Sequence, residues 1–231
     1  MTKIAIIPAR GGSKRIPKKN IKSFLGKPII AYSIEAAIKS NLFYQVIVST
    51  DDKEIADIAL QHGALVPFTR SEKNSDDFAT TFDVIEEVLS WYQKQNITIE
   101  LACCLYATAP FITSELLHKA QEKLISNQFD TVFPVIRYSF PIQRAIKVIN
   151  DNGKFDLFQP EHLSSRSQDL EPAFHDAGQF YFFKPNAVLE KKKLWTNNSG
   201  IIEIDELLAQ DIDNETDWKL AELKYQLAFG N

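Results

Sequence analysis

The chain has 231 residues, 45% hydrophobic and 24% charged, with a formal net charge of -4. That length and balance fit one large globular domain with a sizeable core. The net acidity excludes a protein that coats nucleic acid with its whole surface, and no apolar run approaches the ~20 residues that span a bilayer.

The start "MTKIAIIPAR" has too short an apolar stretch, and turns basic too soon, for a secretory signal. A cytoplasmic protein is expected. The first strand is read in Lys3–Ala9, a β-branched apolar run. After a basic loop, Pro28 opens a helical pattern that ends near Asn41. "YQVIVST" is the second strand, "DKEIADIALQHG" a helix closed by Gly63, and "ALVPFTR" a third strand. From Thr80 to Asn96, Phe82, Ile85, Val88, Leu89 and Tyr92 share one helical face. "LACCLYAT" is a further strand and "SELLHKAQEKLISNQ" a further helix.

Strands apolar on both faces, alternating with helices, predict an α/β fold: a Rossmann-like three-layer sandwich around a mostly parallel sheet. The neighbours Cys103 and Cys104 point to opposite faces of their strand, so free buried thiols are expected. That suits a reducing compartment, in which the sequons at Asn96, Asn197 and Asn214 carry nothing.

The alternation breaks after Phe129. "TVFPVIRYSFPIQRAIKVINDNGKFDLF" reads as strands turning at Asn152-Gly153, and Gln159–Gly178 shows no period. We expect one domain, 1–231, with 130–178 as an arm outside the main sheet. "QFYFFKP" restores a strand, Lys191–Lys193 is a solvated helix end, and a last helix begins near Glu215.

The segment "PARGGSKRIPKKN" packs Arg10, Lys14, Arg15, Lys18 and Lys19 around Gly11-Gly12, with no acidic residue before Glu35. It follows the first strand, at the edge where open parallel sheets bind ligands. The glycines would let backbone N–H groups turn to an anion. Ser13 adds a hydroxyl, and the cations supply the charge that a polyphosphate requires. Neither the Walker spacing nor the dinucleotide fingerprint is present. The plain alternative is a solvated basic turn.

Near the other end, Asp211 and Asp213 stand two apart, so both carboxylates can approach one hard cation such as Mg²⁺. Helix capping competes for Asp213 or Asn214, with Asp217 completing a box; it leaves Asp211 unexplained.

The motifs "IPARGGSKRIPKKN", "VSTDD", "GALVPFTR", "SDDFATT" and "DIDNETDW" resemble, in order and over nearly the whole chain, the cytidylyltransferases that activate nonulosonic acids. These include the CMP-sialic acid synthetases. "FPIQRA" and "SRSQDLEPAFHDAGQFYF" are similar to the branch that acts on pseudaminic acid. The resemblance implies CMP transfer from CTP to the anomeric hydroxyl of the sugar acid, with Mg²⁺ and release of pyrophosphate.

By motif, Arg10, Gly11, Gly12, Ser13, Lys14, Lys19 and Asn20 would hold the triphosphate and ribose, while Arg70, Asp77 and Thr81 would line the nucleoside pocket. Arg10, Lys19 and Asp211 would carry catalysis, with Asp211 and Asp213 on the metal. Tyr106, Gln143, Arg144, Arg166, Gln168, His175 and Tyr181 would meet the sugar, with Arg166 or Arg144 on its carboxylate. His175 is read as a sugar contact and not as a base.

Two departures matter. "YATAP" stands where sialic acid enzymes commonly carry Gln-Pro-Thr-Ser-Pro, and "FPIQ" is not followed by their lysine. Both move the expectation from N-acetylneuraminate towards a differently substituted nonulosonate, with legionaminate kept open. "ATAP" also lacks the acidic residue of the Kdo enzymes. The resemblance further implies a homodimer whose arms cover each other's sugar site. The rivals are a metal-dependent glycosyltransferase, since Asp-x-Asp also serves there, and a non-catalytic anion-binding module. The latter would set exposed aromatics beside the basic patch, where only Phe24 lies near.

Overall fold

The computed structural model describes residues 1–230. In chain order the strands and helices are β1 (Lys3–Pro8), β2 (Ser23–Phe24), β3 (Lys27–Pro28), α1 (Ile29–Lys39), β4 (Gln45–Ser49), α2 (Lys53–Gln61), α3 (Thr81–Lys94) and β5 (Leu101–Leu105). There follow α4 (Ser114–Ser126), β6 (Thr131–Arg137), β7 (Ile146–Val148), β8 (Phe155–Leu157), β9 (Phe174–Asp176), β10 (Phe180–Phe183), α5 (Pro185–Lys191), β11 (Ser199–Glu203) and α6 (Glu215–Phe229).

One seven-stranded sheet, ordered β11-β6-β10-β5-β1-β4 with β9 against β6, forms the middle layer. β1 pairs in parallel with β4 and β5, and β11 in parallel with β6. β10 runs antiparallel between β5 and β6. The mostly parallel three-layer sandwich therefore stands, with reversed strands at β9 and β10.

Alternation along each strand divides the core. Ala5, Ile7, Cys103 and Leu105 face the side covered by α1, α2 and α4. Ile4, Ile6, Ala102 and Cys104 face α3 and α5. Cys103 and Cys104 are thus free thiols in opposite layers, as a pleated strand requires. Helix starts are set by local side chains. Asp52 accepts from the Ile55 amide, Thr80 and Asp83 form a reciprocal box at α3, and Thr113 caps α4.

A third cluster ties the two ends of the chain together. Ile16 of the basic loop, Phe24, Ile29, Tyr32, Phe111, Ile212, Trp218 and Ala221 are buried as one group. Phe24 enters through the β2–β3 hairpin, where Leu25 and Gly26 take φ of +47° and +95°, the pattern of a tight two-residue turn. Its ring meets Tyr32, Trp218 and Tyr225 edge-on, with centroids 5.4, 5.7 and 5.7 Å away.

Three expectations change. "ALVPFTR" is not a strand: only Leu65 bridges Ile47, because Pro67 has no N–H to extend the ladder and the chain lifts away. The arm is not 130–178, since β6 and β9 at its two ends belong to the main sheet; 138–173 is what projects. Its hairpin β7–β8 does turn at Asn152-Gly153, with Gly153 at φ +78°. Finally, β11 adds an edge strand that the sequence reading left unassigned.

Replacing Ile212, 1% exposed, by Ala should lower stability by about 2–5 kcal/mol, as for other buried Ile-to-Ala changes. Urea unfolding of the two proteins measures this; a loss under about 0.5 kcal/mol would show that the third cluster does not hold the chain ends together.

Candidate active site

The strands β1 and β5 end, at Pro8 and Leu105, beside a cavity of about 450 Å³. Its lining includes Arg10, Ser13, Lys14, Lys19, Asn20, Arg70, Thr81, Tyr106 and Asp213. Residues 203 positions apart in the chain are brought to one wall here, counting from Arg10 to Asp213. The parallel register of β1 with its neighbours sends the basic loop off this edge, and the third cluster folds it against the segment before α6.

Carboxylates and two backbone carbonyls hold the loop cations. Arg15 Nη2 lies 2.8 Å from Asp213 Oδ1, and Lys22 Nζ lies 2.6 Å from Glu215. Lys18 pairs with Glu54. Arg10 and Lys14 both pair with Asp77. Lys19 differs: its ammonium donates to the Ile212 carbonyl at 2.7 Å, between Asp211 and Asp213. Burial lowers its pKa, while those two carboxylates act in the opposite sense.

The Asp pair is not spent on capping. Asn214 caps α6, accepting from the Thr216 and Asp217 amides, and Asp217 returns to the Asp213 and Asn214 amides. Asp211 is an exposed residue whose carboxyl group is nonetheless closely surrounded by protein; desolvation first, and then the Asp213 charge, raise its pKa. Lys19 and Asp213 line the main cavity, while Asp211 lines the smaller one next to His175; the three charges are near enough to act on one another's titration.

The glycines work differently from the expectation. Neither Gly11 nor Gly12 has positive φ. Gly11 is required because a Cβ there would sit 2.7 Å from an Asp52 carboxylate oxygen. Its amide donates to Asp51 Oδ1 at 3.1 Å, so that N–H does face an anion, though an internal one. Asn20 Nδ2 donates to the Arg10 carbonyl at 2.9 Å and fixes the loop at its base.

Arg70 is 5% exposed. Its Nε donates to Ser49 Oγ at 3.0 Å and its Nη2 to the Ser49 carbonyl. Burial lowers its pKa, yet an arginine stays charged, and no carboxylate pairs with it among the described residues. Thr81 follows the Thr80 cap and lines the cavity. Tyr106 lies below them, its phenol pushed up to about 12 by burial. Its ring meets that of Tyr181 at 6.0 Å, and the Tyr181 hydroxyl donates to Asp176.

The remaining predicted residues divide. Asp77 does not line the cavity; it sits outside on the loop cations, because Asp76 folds residues 76–79 back with hydrogen bonds to the Phe78 and Ala79 amides. Gln143, Arg144 and Arg166 turn inward on the projecting segment. Gln143 donates to the Glu171 carbonyl, Arg144 to Ser167 and Arg166 to Asp169. Gln168 lines a separate cavity of about 590 Å³ at the arm's root. These residues do not reach the nucleotide-sized cavity within one chain, because a segment of short turns satisfies its own polar groups locally. His175 shares with Asp211 a third cavity of about 260 Å³, along with Arg137 and Lys224.

Sequence reasoning passed over Thr108, Asn74 and Arg137. Thr108 and Asn74 line the main cavity, and their only signal was position just after a strand or before a helix. Arg137 ends β6 and was assigned to the arm.

Comparison with known proteins agrees with this geometry. A family model described as "Cytidylyltransferase" matches residues 4–222. The pseudaminic acid cytidylyltransferase of Campylobacter jejuni is 44% identical, over 98% of this chain and 97% of its own. The CMP-N,N'-diacetyllegionaminic acid synthase of Legionella pneumophila is 32% identical, over 97% and 96%. Among solved structures, a CMP:2-keto-3-deoxy-manno-octonic acid synthetase complexed with CTP superposes with a TM-score of 0.70 at 18% identity, covering 99% of both chains; this likeness is one of fold. With a match running from β1 into α6, the chain belongs to the cytidylyltransferase family.

Proposed function

We propose that this nucleotidyltransferase moves CMP from CTP to the anomeric hydroxyl of a nonulosonic acid, pseudaminic acid in the first place, releasing pyrophosphate. The observation that carries the reading is the meeting of the basic loop with the Asp211–Asp213 segment at one cavity, through Lys19 and the Ile212 carbonyl. The choice of sugar is supported by the Campylobacter relative, whose name states that substrate and whose 44% identity exceeds the 32% of the legionaminate enzyme. Family membership sets aside the glycosyltransferase and the anion-binding module.

In this reading the anomeric hydroxyl oxygen attacks the α-phosphorus and gives up its proton to solvent, the α-phosphorus bond to the bridging oxygen breaks, and the pyrophosphate takes the electron pair. The chain's part is to position and neutralise. Arg10, Ser13, Lys14 and Lys19 receive the phosphates, and Arg70, Thr81 and Asn20 hold the nucleoside side of the cavity. Tyr106 lines the cavity on the side assigned to the sugar, with Tyr181 buried against its ring.

Asp211 and Asp213 fit a Mg²⁺ ion: both offer oxygen ligands, and at Asp211 desolvation first, then the Asp213 charge, raise the proton affinity that a cation would relieve. No group of three or more His, Cys, Asp or Glu side chains gathers for a metal among the described residues. Such an ion would therefore complete its shell from phosphate oxygens and water, and would supply charge neutralisation at the reacting phosphate.

The projecting hairpin supports a homodimer. Phe140, Val148, Phe155 and Phe158 are 81%, 70%, 60% and 62% exposed, and a lone hairpin is marginal in water unless such a face is covered. A second copy would cover it, and would bring Gln143, Arg144, Arg166 and Gln168 towards the partner's sugar site. No helix among the described residues is long and apolar enough to cross a membrane. We place the reaction in the cytoplasm, where CTP is made and free thiols such as Cys103 and Cys104 persist.

The purified protein, given CTP, Mg²⁺ and pseudaminic, legionaminic or N-acetylneuraminic acid in turn, should release pyrophosphate fastest with pseudaminic acid. Absence of release with all three would reject the reading.

Asp211→Asn should cut kcat by at least ~100-fold, the scale of losing one electrostatic contact to a transition state. Its folded stability at neutral pH should match or exceed the parent's. The sign follows from linkage: a carboxyl with its folded pKa raised binds its proton more tightly when folded. The folded protein therefore loses stability as pH rises from the unfolded pKa, ~3.9, through the raised folded value. Turnover needs the ionised form and should fall as pH drops through that raised value. Near-parental turnover, or a variant unfolded at pH 7, would contradict this.

Lys19→Ala should raise KM for CTP by roughly tenfold or more, the range for losing a charged hydrogen bond. Unchanged CTP kinetics would remove Lys19 from the cradle.

A further inference from the structure

The sequence motif assigns Asp77 to the nucleoside pocket, but its carboxylate is elsewhere. Oδ1 lies 2.8 Å from Arg10 Nη1, and Oδ2 holds the Lys14 ammonium. The same Arg10 nitrogen donates to the Asp76 carbonyl at 2.9 Å. Asp76 Oδ1 accepts from the Phe78 and Ala79 amides at 2.9 and 2.8 Å, which gives the turn a defined shape. Asp77 is thus presented to the loop, and it takes up two of the cations that line the phosphate end of the cavity.

We propose that Asp77 is an internal counter-ion for the phosphate cradle, displaced when a nucleoside triphosphate binds and restored when pyrophosphate leaves. The inference rests on the reading in which the Arg10–Lys19 loop holds CTP, and goes beyond it by giving the loop an anion of its own.

The physical case has three parts. Several cations in one short loop repel each other, and a carboxylate shared by two of them relieves that repulsion. The pairing is also easy to break. Asp77 and Lys14 side chains are 43% and 77% exposed, and ion pairs at such sites are individually weak. A phosphate chain offers the same Arg10 and Lys14 more charge and more acceptor oxygens than one carboxylate, and Arg10 can grip it with two N–H groups. The exchange therefore runs towards the triphosphate while lowering its net affinity. The same competition acts on any phosphate ligand, product included, so Asp77 raises the affinity threshold for occupying the loop and speeds loss of pyrophosphate. A nucleoside contact by Asp77 would have the opposite sign: its removal would weaken CTP.

The test is calorimetric titration of CTP and of pyrophosphate, at low salt and without magnesium, into the parent, Asp77→Asn and Asp77→Glu, with thermal unfolding confirming that each is folded. The Asn variant should bind both ligands more tightly, by on the order of threefold to tenfold, as expected for losing two exposed competing ion pairs. The inhibition constant of pyrophosphate against CTP should fall by the same factor. Asp77→Glu keeps the charge and should stay near the parent. CTP binding that is unchanged or weaker in the Asn variant, while the parent binds CTP, overturns the proposal alone. Tightening by Asp77→Glu to the level of Asn also overturns it, since charge would not be the cause. A parent that binds no CTP overturns the functional reading and the proposal with it.

Discussion

The contact from the Lys19 ammonium to the Ile212 carbonyl is the one on which the site depends. It joins a loop that follows the first strand to a segment that precedes the last helix. Around it, Ile16 and Ile212 are buried in the same aromatic cluster, so the polar contact and the apolar packing reinforce each other. A partly buried ammonium costs desolvation energy, and the lowered pKa of Lys19 reports that cost. Asp211 and Asp213 offset it electrostatically. Asp211 in turn has its pKa raised, by desolvation first and then by the Asp213 charge.

The rest of the loop follows the same electrostatic logic with weaker, exposed pairs. Arg15, Lys18 and Lys22 are each held by a carboxylate from the surrounding structure, and Arg10 and Lys14 share one. A concentrated positive charge can then exist in an acidic protein without splaying its own loop. Beneath it, Arg70 is charged and buried, with Ser49 as its side-chain partner among the described residues.

Much of this was legible in the chain. The continuous apolar runs and the helical stripes marked most sheet strands and helices, and the basic run after β1 marked the ligand edge. Elsewhere local pattern misled. "ALVPFTR" has strand composition, but Pro67 breaks the ladder and leaves one bridge. β6 was apolar enough to be a central strand, yet the hairpin after it drew it into the arm; only its pairing with β10 and β11 assigns it to the sheet. Asp77 sits in a motif, and a motif records neighbours in sequence; it does not record the direction in which a carboxylate points.

What the sequence by itself determined was the chemistry on offer: an excess of cations after the first strand, two carboxylates two residues apart near the last helix, and a layered α/β scaffold to carry them. Those follow from residue type and short-range periodicity, which act over a few residues. Tertiary structure alone decided who meets whom. It set Lys19 on the Ile212 carbonyl and Asp77 against Arg10 and Lys14, and it left the residues of the projecting segment away from the cavity. Such meetings depend on sheet register and on the burial of Ile16 with Ile212, which are properties of the whole packed chain and of no local stretch.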